Sequence, residues 1–285
     1  MNTMSTVERI LRGGAILLVC IFFMFPIVWI FGMSFQTNET ILRVPPSFLT
    51  EPTLVNYKGL ISGQLETSAG GLKVDFMGNL FNSLFLSSTS VIVALILGVP
   101  AAYAFARLKF RGSEDIAFTL LSFRFAPPLL VLLPLTIYFQ QLGLANTYIG
   151  LVWVYQLICL PLILWIVRGY FEDISADVEY AYRIAGHNFW STFRRIALPL
   201  AGPGIAAAGL LAFIFAWNNF VFALVLASAD KQPVTVGALA FITASGIQYG
   251  QVAAGIVLSI TPTFVLALYA QRYLVEGLSL GAVKG

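Results

Sequence analysis

The chain alternates long apolar segments with shorter polar ones. Six apolar segments are long enough to cross a bilayer, which takes about 20 helical residues; we place them near 14–34, 82–106, 116–139, 148–168, 203–227 and 251–274. Composition agrees, because 10% of the residues are charged, against about 25% in soluble domains. The pattern predicts an all-α polytopic membrane protein with six transmembrane helices in a single transmembrane domain, 1–285.

The polar run at 172–203, between the fourth and fifth segments, is predicted to hold an amphipathic helix of about three turns. Ser175 is the expected N-cap and Gly186 the C-terminal stop. Asn188 then caps a second short helix, 189–198, which Pro199 closes. The apolar stripe of the first helix is formed by Ile174, Val178, Ala181, Tyr182 and Ala185.

The same run resembles the cytoplasmic EAA signature of binding-protein-dependent ABC importer permeases. Gly186 is followed after nine residues by Ile196, any residue, Leu198 and Pro199, with the spacing of that signature. The match departs from the family at the E-A-A positions, which hold Tyr180, Ala181 and Tyr182, with the acid displaced to Glu179. Ala185 stands before the glycine, where the sugar-transporting branch often has Asp.

The resemblance implies a type I ABC importer permease fold in which this helix is the coupling helix and docks on a separate ATPase subunit. It assigns the coupling role to Glu179, Tyr180, Ala181, Arg183, Gly186, Leu198 and Pro199. The coupling loop is then 169–202 and the core permease region is 78–275. The alternative interpretation of the run is an ordinary solvated intracellular loop.

Four further stretches resemble carbohydrate-transporting permeases of the type of the smaller membrane subunit of maltose transporters. They are NSLFLSST at 82–89, PAAYAFARLKFRG at 100–112, FAWNNFVFALVL at 215–226 and GLSLGAVKG at 277–285. Together they cover most of the chain. In such proteins the C-terminal tail reaches the ATPase, which gives Lys284 a candidate role; the alternative is a frayed terminus.

The distribution of Lys and Arg predicts the orientation, since cytoplasmic loops carry more of them. With the N-terminus inside, the outer segments hold Arg43, Lys58, Lys73 and Lys231. The inner segments hold Arg9, Arg12, Arg107, Lys109, Arg111, Arg168, Arg183, Arg194, Arg195, Arg272 and Lys284. This distribution predicts that both termini lie in the cytoplasm. The resemblance implies a multi-pass protein of the bacterial inner membrane.

Polar side chains within the spans are candidates for a substrate pathway, because a charge or amide there is costly unless it serves a cavity or partner. They are Arg124, Tyr155, Gln156, Trp217, Asn218 and Asn219. Rings and amides together suit a polyhydroxylated ligand, since rings stack on sugar faces and amides pair with hydroxyls. Two alternatives are open: Arg124 snorkels or braces the Pro127–Pro128 distortion, and Trp217 belongs to an interfacial belt.

The sequence has no phosphate-binding loop of the form G-x-x-x-x-G-K-[ST], so the chain is not expected to be an enzyme or to bind a cofactor. ATP and Mg are expected in the partner ATPase. With one histidine, His187, and two cysteines, Cys20 and Cys159, that we expect to be buried thiols, zinc chemistry is not predicted. All thirteen acids fall outside the predicted spans, which disfavours a proton relay.

The function predicted is a permease subunit of an ATP-driven importer for a sugar, polyol or sugar derivative. The expected partners are a second homologous permease, two ATPase subunits, an extracytoplasmic solute-binding protein and the lipid bilayer, without nucleic acid. The loops 36–78 and 228–250 are expected to receive the small molecule from the binding protein. A self-contained secondary carrier is the alternative, and an intramembrane enzyme a third possibility that lacks any recognisable catalytic group.

Overall fold

The structure, a computed structural model, describes residues 6–44, 51–67, 70–108, 110–243 and 246–281. Its helices are α1 Thr6–Ser34, α2 Asn38–Ile41, α3 Val55–Ser62, α4 Phe76–Arg107, α5 Ser113–Ser122, α6 Pro128–Gln141, α7 Tyr148–Asp173, α8 Ala176–Ile184, α9 Phe189–Thr192, α10 Leu198–Leu200, α11 Gly202–Trp217, α12 Val221–Leu226, α13 Val234–Gly237 and α14 Tyr249–Gly281. Two antiparallel hairpins pair β1 Gln64–Thr67 with β2 Gly70–Lys73, and β3 Ile242–Thr243 with β4 Gly246–Ile247. Lys109 and Lys284 lie outside the described residues.

Four helices of the described chain are long and apolar enough to cross a membrane, and two bent helix pairs raise the number to six if each pair is one span. The four are Val7–Ser34, Phe76–Arg107, Tyr148–Asp173 and Tyr249–Tyr269. The bent pairs are Ser113–Phe125 with Pro128–Gln141, at 96°, and Phe189–Leu200 with Gly202–Trp217, at 71°. The predicted all-α polytopic fold is confirmed.

The third predicted span, 116–139, differs from a continuous helix. A short 3-10 turn, Phe123–Phe125, follows α5, and Ala126 and Pro127 then take extended backbone with ψ of 127° and 121°. Each of these two residues precedes a proline, whose ring disfavours the helical conformation of the residue before it. The two consecutive prolines therefore break the helix and allow the sharp bend.

The fifth predicted span, 203–227, is also interrupted. Helix α11 ends at Trp217, and Asn218 closes it by donating its side-chain amide to the Ile214 carbonyl at 2.8 Å. The chain becomes helical again only at Val221. An asparagine side chain competes well for backbone groups, which favours such an ending over a continuing helix.

By its contacts the chain divides into two compact units, Gly78–Gly237 with Pro262–Gly285, and Met1–Met77 with Ala238–Thr261. In the first of these, α4, α7 and α11 pack through small residues of α4 and α11. A Cβ added at Gly98 of α4 would lie 3.0 Å from Ile163 of α7, and Ala94, Ala102, Ala208, Ala212 and Ala216 are buried. Small residues let helix backbones approach closely in a membrane.

In the other unit, the buried Asn56 of α3 fixes the chain that follows α1. Its amide donates to the carbonyls of Ser34 at 3.0 Å and Gln36 at 2.8 Å. Most of α1 is exposed within this chain, including Cys20, so the prediction of a buried thiol is wrong there. The prediction is confirmed for Cys159, which is buried.

Candidate functional site

Helix α8, the predicted coupling helix, begins and ends as its local chemistry predicts. Ser175 accepts a hydrogen bond from the Asp177 amide at 3.3 Å, so it is the N-cap. Asp177 and Glu179 lie in the first turn and Arg183 in the last, where they complement the helix dipole. Gly186 has φ of +93°, a left-handed conformation that glycine adopts without strain.

The next helical segment is fixed to α8 through side chains. Asn188 accepts from the Ser191 amide at 2.8 Å and caps α9 as predicted. The rings of Tyr182 and His187 stack with centroids 3.9 Å apart. The Ser191 hydroxyl and the Arg195 guanidinium lower the pKa of the Tyr182 phenol by hydrogen bonding to it. Pro199 does not close this segment, which stays helical through Leu200.

The most buried charge in α8 is Glu179, whose carboxylate is held by the end of α4. Its Oε1 lies 2.8 Å from Nη2 of Arg107, and its Oε2 accepts from the Tyr103 hydroxyl at 2.6 Å. Nη2 of Arg107 also donates to the Ile174 carbonyl just before α8, at 2.9 Å. Because Glu179 is 5% exposed, these bonds replace the water that the carboxylate has lost.

Aromatic rings surround this ion pair. The Tyr103 ring centroid lies 4.9 Å from that of Phe193, 5.2 Å from Phe171 and 5.3 Å from Phe189. These rings come from α4, α7 and the segment after α8, so they join the coupling loop to the ends of two spans. Packed aromatic pairs contribute about 0.5–1.5 kcal/mol each beyond area burial.

Within this chain the apolar stripe predicted on α8 is partly exposed: Val178 and Ala185 are exposed, and Ile174 and Tyr182 are half-buried. Val178 is 47% exposed, and two apolar residues outside the predicted stripe, Tyr180 and Ile184, are 57% and 87% exposed. Ala181 is exposed as well. Glu179 is instead buried, whereas Asp177 and Arg183 are exposed. Apolar side chains of α8 are therefore left for something outside this chain.

The remaining predicted coupling residues are exposed or half-buried. Arg183, Gly186 and Pro199 are exposed, and Leu198 is half-buried at the start of α10. The two residues that sequence reasoning missed are Tyr103 and Arg107, which hold Glu179. The available signal was the stretch PAAYAFARLKFRG, which contains both.

Arg124, the first pathway candidate, lies on the 3-10 turn directly before the proline break. Its Nη1 donates to the Ile158 carbonyl of α7 at 3.3 Å, and its guanidinium carbon lies 4.1 Å from the ring centroid of Phe215 in α11. A cation over an aromatic face is attracted by the ring quadrupole. The side chain is half-buried and bridges three elements at the bend.

Tyr155 and Gln156 are both buried in α7, at 1% and 7% exposure. Nε2 of Gln156 donates to the Ser90 carbonyl of α4 at 3.1 Å and to the Val152 carbonyl at 2.9 Å. Its Oε1 is buried without a hydrogen-bond partner, and so is the hydroxyl of Ser90. Gln156 therefore links α7 to α4, with unused polar capacity beside it.

Trp217, Asn218 and Asn219 lie at the end of α11. Trp217 is 5% exposed and stacks on Phe213 with centroids 5.6 Å apart, so within this chain it is packed. Asn218 is exposed, whereas Oδ1 of Asn219 is buried without a hydrogen-bond partner. Among the pathway candidates, Tyr155 and Trp217 are therefore packed side chains. Gln156 and Asn219 each have a buried side-chain oxygen without a hydrogen-bond partner.

Comparison with known proteins shows what this arrangement belongs to. Residues 94–279 match the family described as binding-protein-dependent transport system inner membrane component. The chain belongs to this family. It is a permease, the non-catalytic membrane subunit of an ABC transporter, and the ATPase is a separate subunit.

Three relatives are similar along nearly their whole length. The trehalose transport system permease of Mycobacterium tuberculosis is 35% identical, covering 91% of this chain and 92% of the relative. The trehalose/maltose permease of Thermococcus litoralis is 33% identical over 99% of both chains. The maltose/maltodextrin permease of Vibrio parahaemolyticus is 34% identical over 92% of this chain and 90% of the relative.

Solved structures give the same fold. A chain of a bacterial ABC transporter involved in the import of the acidic polysaccharide alginate superposes with a TM-score of 0.77, at 25% identity over 96% of this chain and 99% of that one. A chain of the MetNI methionine ABC transporter gives a TM-score of 0.58 at 14% identity, over 70% of this chain and 94% of that one. The predicted type I permease fold is confirmed.

Proposed function

We propose that this permease pairs with a second homologous permease and two ATPase subunits, and imports a sugar, polyol or sugar derivative delivered by an extracytoplasmic solute-binding protein. ATP and Mg are bound by the ATPase subunits. Both termini are cytoplasmic, which puts α8 on the side where ATP is available. The observation that carries the proposal is the exposure of Val178, Tyr180, Ala181 and Ile184 on a helix whose Glu179 is buried against the end of α4.

The apolar face of α8 is the docking surface for the ATPase. Val178, Ala181 and Ile184 are spaced by three residues, and Tyr180 lies four residues before Ile184, a spacing with which a helix enters a groove. Large apolar side chains exposed on a polar loop indicate a protein interface. Arg183 and Gly186 border this surface, so the same end of the helix supplies a charge and a sharp turn.

Motion passes from this surface into the membrane through Glu179. Closure of the ATPase dimer displaces α8, and the buried bonds of Glu179 to Arg107 and Tyr103 transmit that displacement to the end of α4. Since α4, α7 and α11 pack closely, we expect them to move together in alternating access between inward and outward states.

The substrate class is supported by the relatives, whose names refer to trehalose and maltose. The pathway candidates suit such ligands, because Asn218 is exposed and Asn219 and Gln156 carry oxygen atoms without partners. Arg124 leaves open an anionic sugar, and the similar solved structure belongs to an importer of an acidic polysaccharide. Tyr155 and Trp217, which are packed within the chain, serve as walls of the pathway.

The decisive experiment is purification of the chain from detergent-solubilised native membranes with mass spectrometry of its partners, followed by reconstitution. A second permease and an ATPase that co-purify, with transport that requires ATP, are expected. An Ile184→Glu variant should lose the ATPase, whereas Val44→Glu, at an exposed apolar position outside the spans and outside α8, should keep it and serves as the control for general damage. A lone chain that transports without ATP would instead indicate a secondary carrier.

A further inference from the structure

Three polar residues near the start of α4 lie on one helix face and are buried. They are Asn79, Asn82 and Ser83, spaced by three and four residues, with exposures of 9%, 4% and 1%. Buried polar side chains are costly unless they are hydrogen-bonded. Their partners therefore indicate what this face of the helix is for.

Asn82 uses both ends of its side-chain amide. Nδ2 donates to two backbone carbonyls, that of Asp230 at 3.0 Å and that of Gln232 at 3.1 Å. Oδ1 accepts from the hydroxyl of Tyr148, the first residue of α7, at 2.7 Å. One side chain thus joins α4, α7 and the segment 228–237.

Adjacent contacts hold the same segment. The Ser83 hydroxyl accepts from the backbone amide of Val234 at 2.7 Å, and the Thr235 hydroxyl donates to the Asn219 carbonyl after α11 at 2.9 Å. Gly237 lies so close to Asn79 that an added Cβ would be 2.1 Å from its Nδ2. The side chains of α4 contact mainly the backbone of the segment, and this fixes its path while the side chain of Asp230 is exposed and Nζ of Lys231 lies 5.7 Å from the Tyr148 ring centroid.

We propose that Asn82 is a positioning residue that holds segment 228–237 in the conformation that receives the solute-binding protein. The inference rests on the proposed function, which places this segment on the extracytoplasmic side. A loop that is already ordered loses less conformational entropy when a partner docks. Asn82 therefore acts on the affinity for the binding protein and not on the ATPase motor.

The test uses the complete complex, reconstituted in nanodiscs and activated by the binding protein that co-purifies with it, in the ligand-bound form in which it is isolated. The ATPase rate is measured against binding-protein concentration. For Asn82→Ala we expect the half-saturating concentration to rise on the order of tenfold with an unchanged maximal rate, since two hydrogen bonds to the segment are lost. Asn82→Asp should be at least as defective although it keeps the acceptor for Tyr148, because it loses both donors and places a carboxylate oxygen against the two backbone carbonyls.

Two more variants test how the half-saturating concentration depends on the individual hydrogen bonds. Tyr148→Phe leaves both bonds to the segment and should shift the half-saturating concentration by less than threefold, by the loss of one hydrogen bond at its edge. Thr235→Val loosens the segment without altering α4, so it should reproduce the direction of Asn82→Ala even if the latter complex assembles poorly.

The outcomes separate the positioning role from the function on which it rests. Unchanged half-saturation in both Asn82→Ala and Thr235→Val, or a lower maximal rate and melting temperature with unchanged half-saturation, would overturn the positioning role while leaving the importer intact. If the unsubstituted complex is not activated by any binding protein, the proposed function fails and the positioning role with it.

Discussion

Glu179 of the coupling helix and Arg107 at the end of α4 form a buried ion pair, with Oε1 2.8 Å from Nη2 and their side chains 7% and 14% exposed. The two residues lie 72 positions apart in the sequence. The pair is a direct polar connection between α8, the proposed docking helix for the ATPase, and a helix long and apolar enough to cross the membrane. Its removal should therefore affect both stability and coupling.

Substitution of Arg107 by Leu should destabilise the complex more than substitution of Glu179 by Gln. The first leaves a buried carboxylate without its cation, at a cost of about 3 kcal/mol, whereas Gln keeps an oxygen for the Tyr103 hydroxyl. The double variant Arg107→Leu with Glu179→Leu should regain most of the lost stability without regaining transport. Thermal unfolding of the purified complex, measured with ATP-driven uptake, tests this; equal melting temperatures for the two single variants would contradict it.

The caps of α8 and α9 could be predicted from the sequence, whereas the partners of Glu179 could not. Ser175, Gly186 and Asn188 were predictable as caps because capping depends on residues within one helical turn. Glu179 was assigned to coupling, but its partners could not be derived, since contacts over such a separation depend on the tertiary fold. The apolar stripe of α8 was recognised, but periodicity does not tell whether a stripe faces the chain's own core or a partner.

The two breaks in the spans have a similar explanation. A hydropathy window averages over Pro127 and Pro128, so an apolar segment of sufficient length looks continuous even where the backbone turns by 96°. Asn218 ends α11 through a local hydrogen bond, which apolar length does not reveal. The small-residue packing of α4 and α11 was predictable, because close backbone approach depends directly on residue size.

Gly186→Asp should uncouple transport while the protein is still made and inserted. The position has φ of +93° with nothing within 4 Å of an added Cβ, so the cost is backbone strain and not a clash. Asp shifts the backbone and changes the direction in which α9 leaves α8. Gly186→Asn is the matched control, since asparagine tolerates left-handed backbone better. The ratio of uptake to ATP hydrolysis should fall more for Asp than for Asn; full coupling in the Asp variant would contradict the prediction.

Arg124→Gln tests whether the substrate is anionic. If the guanidinium attracts a negatively charged sugar, uptake of an anionic oligosaccharide should fall by about tenfold or more, because a charge is felt strongly where water is scarce. Maltose uptake should change less, and Arg124→Lys should keep more of the anionic uptake than Gln. Unchanged uptake of the anionic substrate in the Gln variant would leave Arg124 as a brace at the proline break, held by Ile158 and Phe215.

Asp230 should confer no pH dependence between about pH 5 and 8. Hydrogen bonds from Lys231 and then Ser228 lower its pKa to about 2, so the carboxylate is ionised in both folded and unfolded protein over that range. The stability that the lowered pKa contributes is present above the unfolded pKa and is lost only as the pH falls through about 2. Activation by the binding protein, measured from pH 5.5 to 8, should have the same pH profile in Asp230→Asn as in the unsubstituted complex. A difference in slope would show that Asp230 contributes to the pH dependence in this range and would contradict the prediction.

Gly204→Ala should destabilise the protein, whereas Gly202→Ala, two residues earlier in the first turn of α11, should not. A Cβ at Gly204 would lie 2.2 Å from Cγ of Tyr170 in α7, and one at Gly202 would meet nothing within 4 Å. Because the clash is at the root of the ring, rotation of the ring cannot relieve it and the whole side chain must leave its place.

The expected cost at Gly204 is about 1–3 kcal/mol, as for other overpacked helix contacts. The double variant Gly204→Ala with Tyr170→Ala should be destabilised by less than the sum of the two single variants, because the added methyl then occupies space vacated by the ring. Thermal unfolding of the unsubstituted protein, the three single variants and the double variant in one detergent measures each step. Equal melting temperatures for Gly202→Ala and Gly204→Ala would mean that α7 and α11 approach one another less closely at this point than the structure shows.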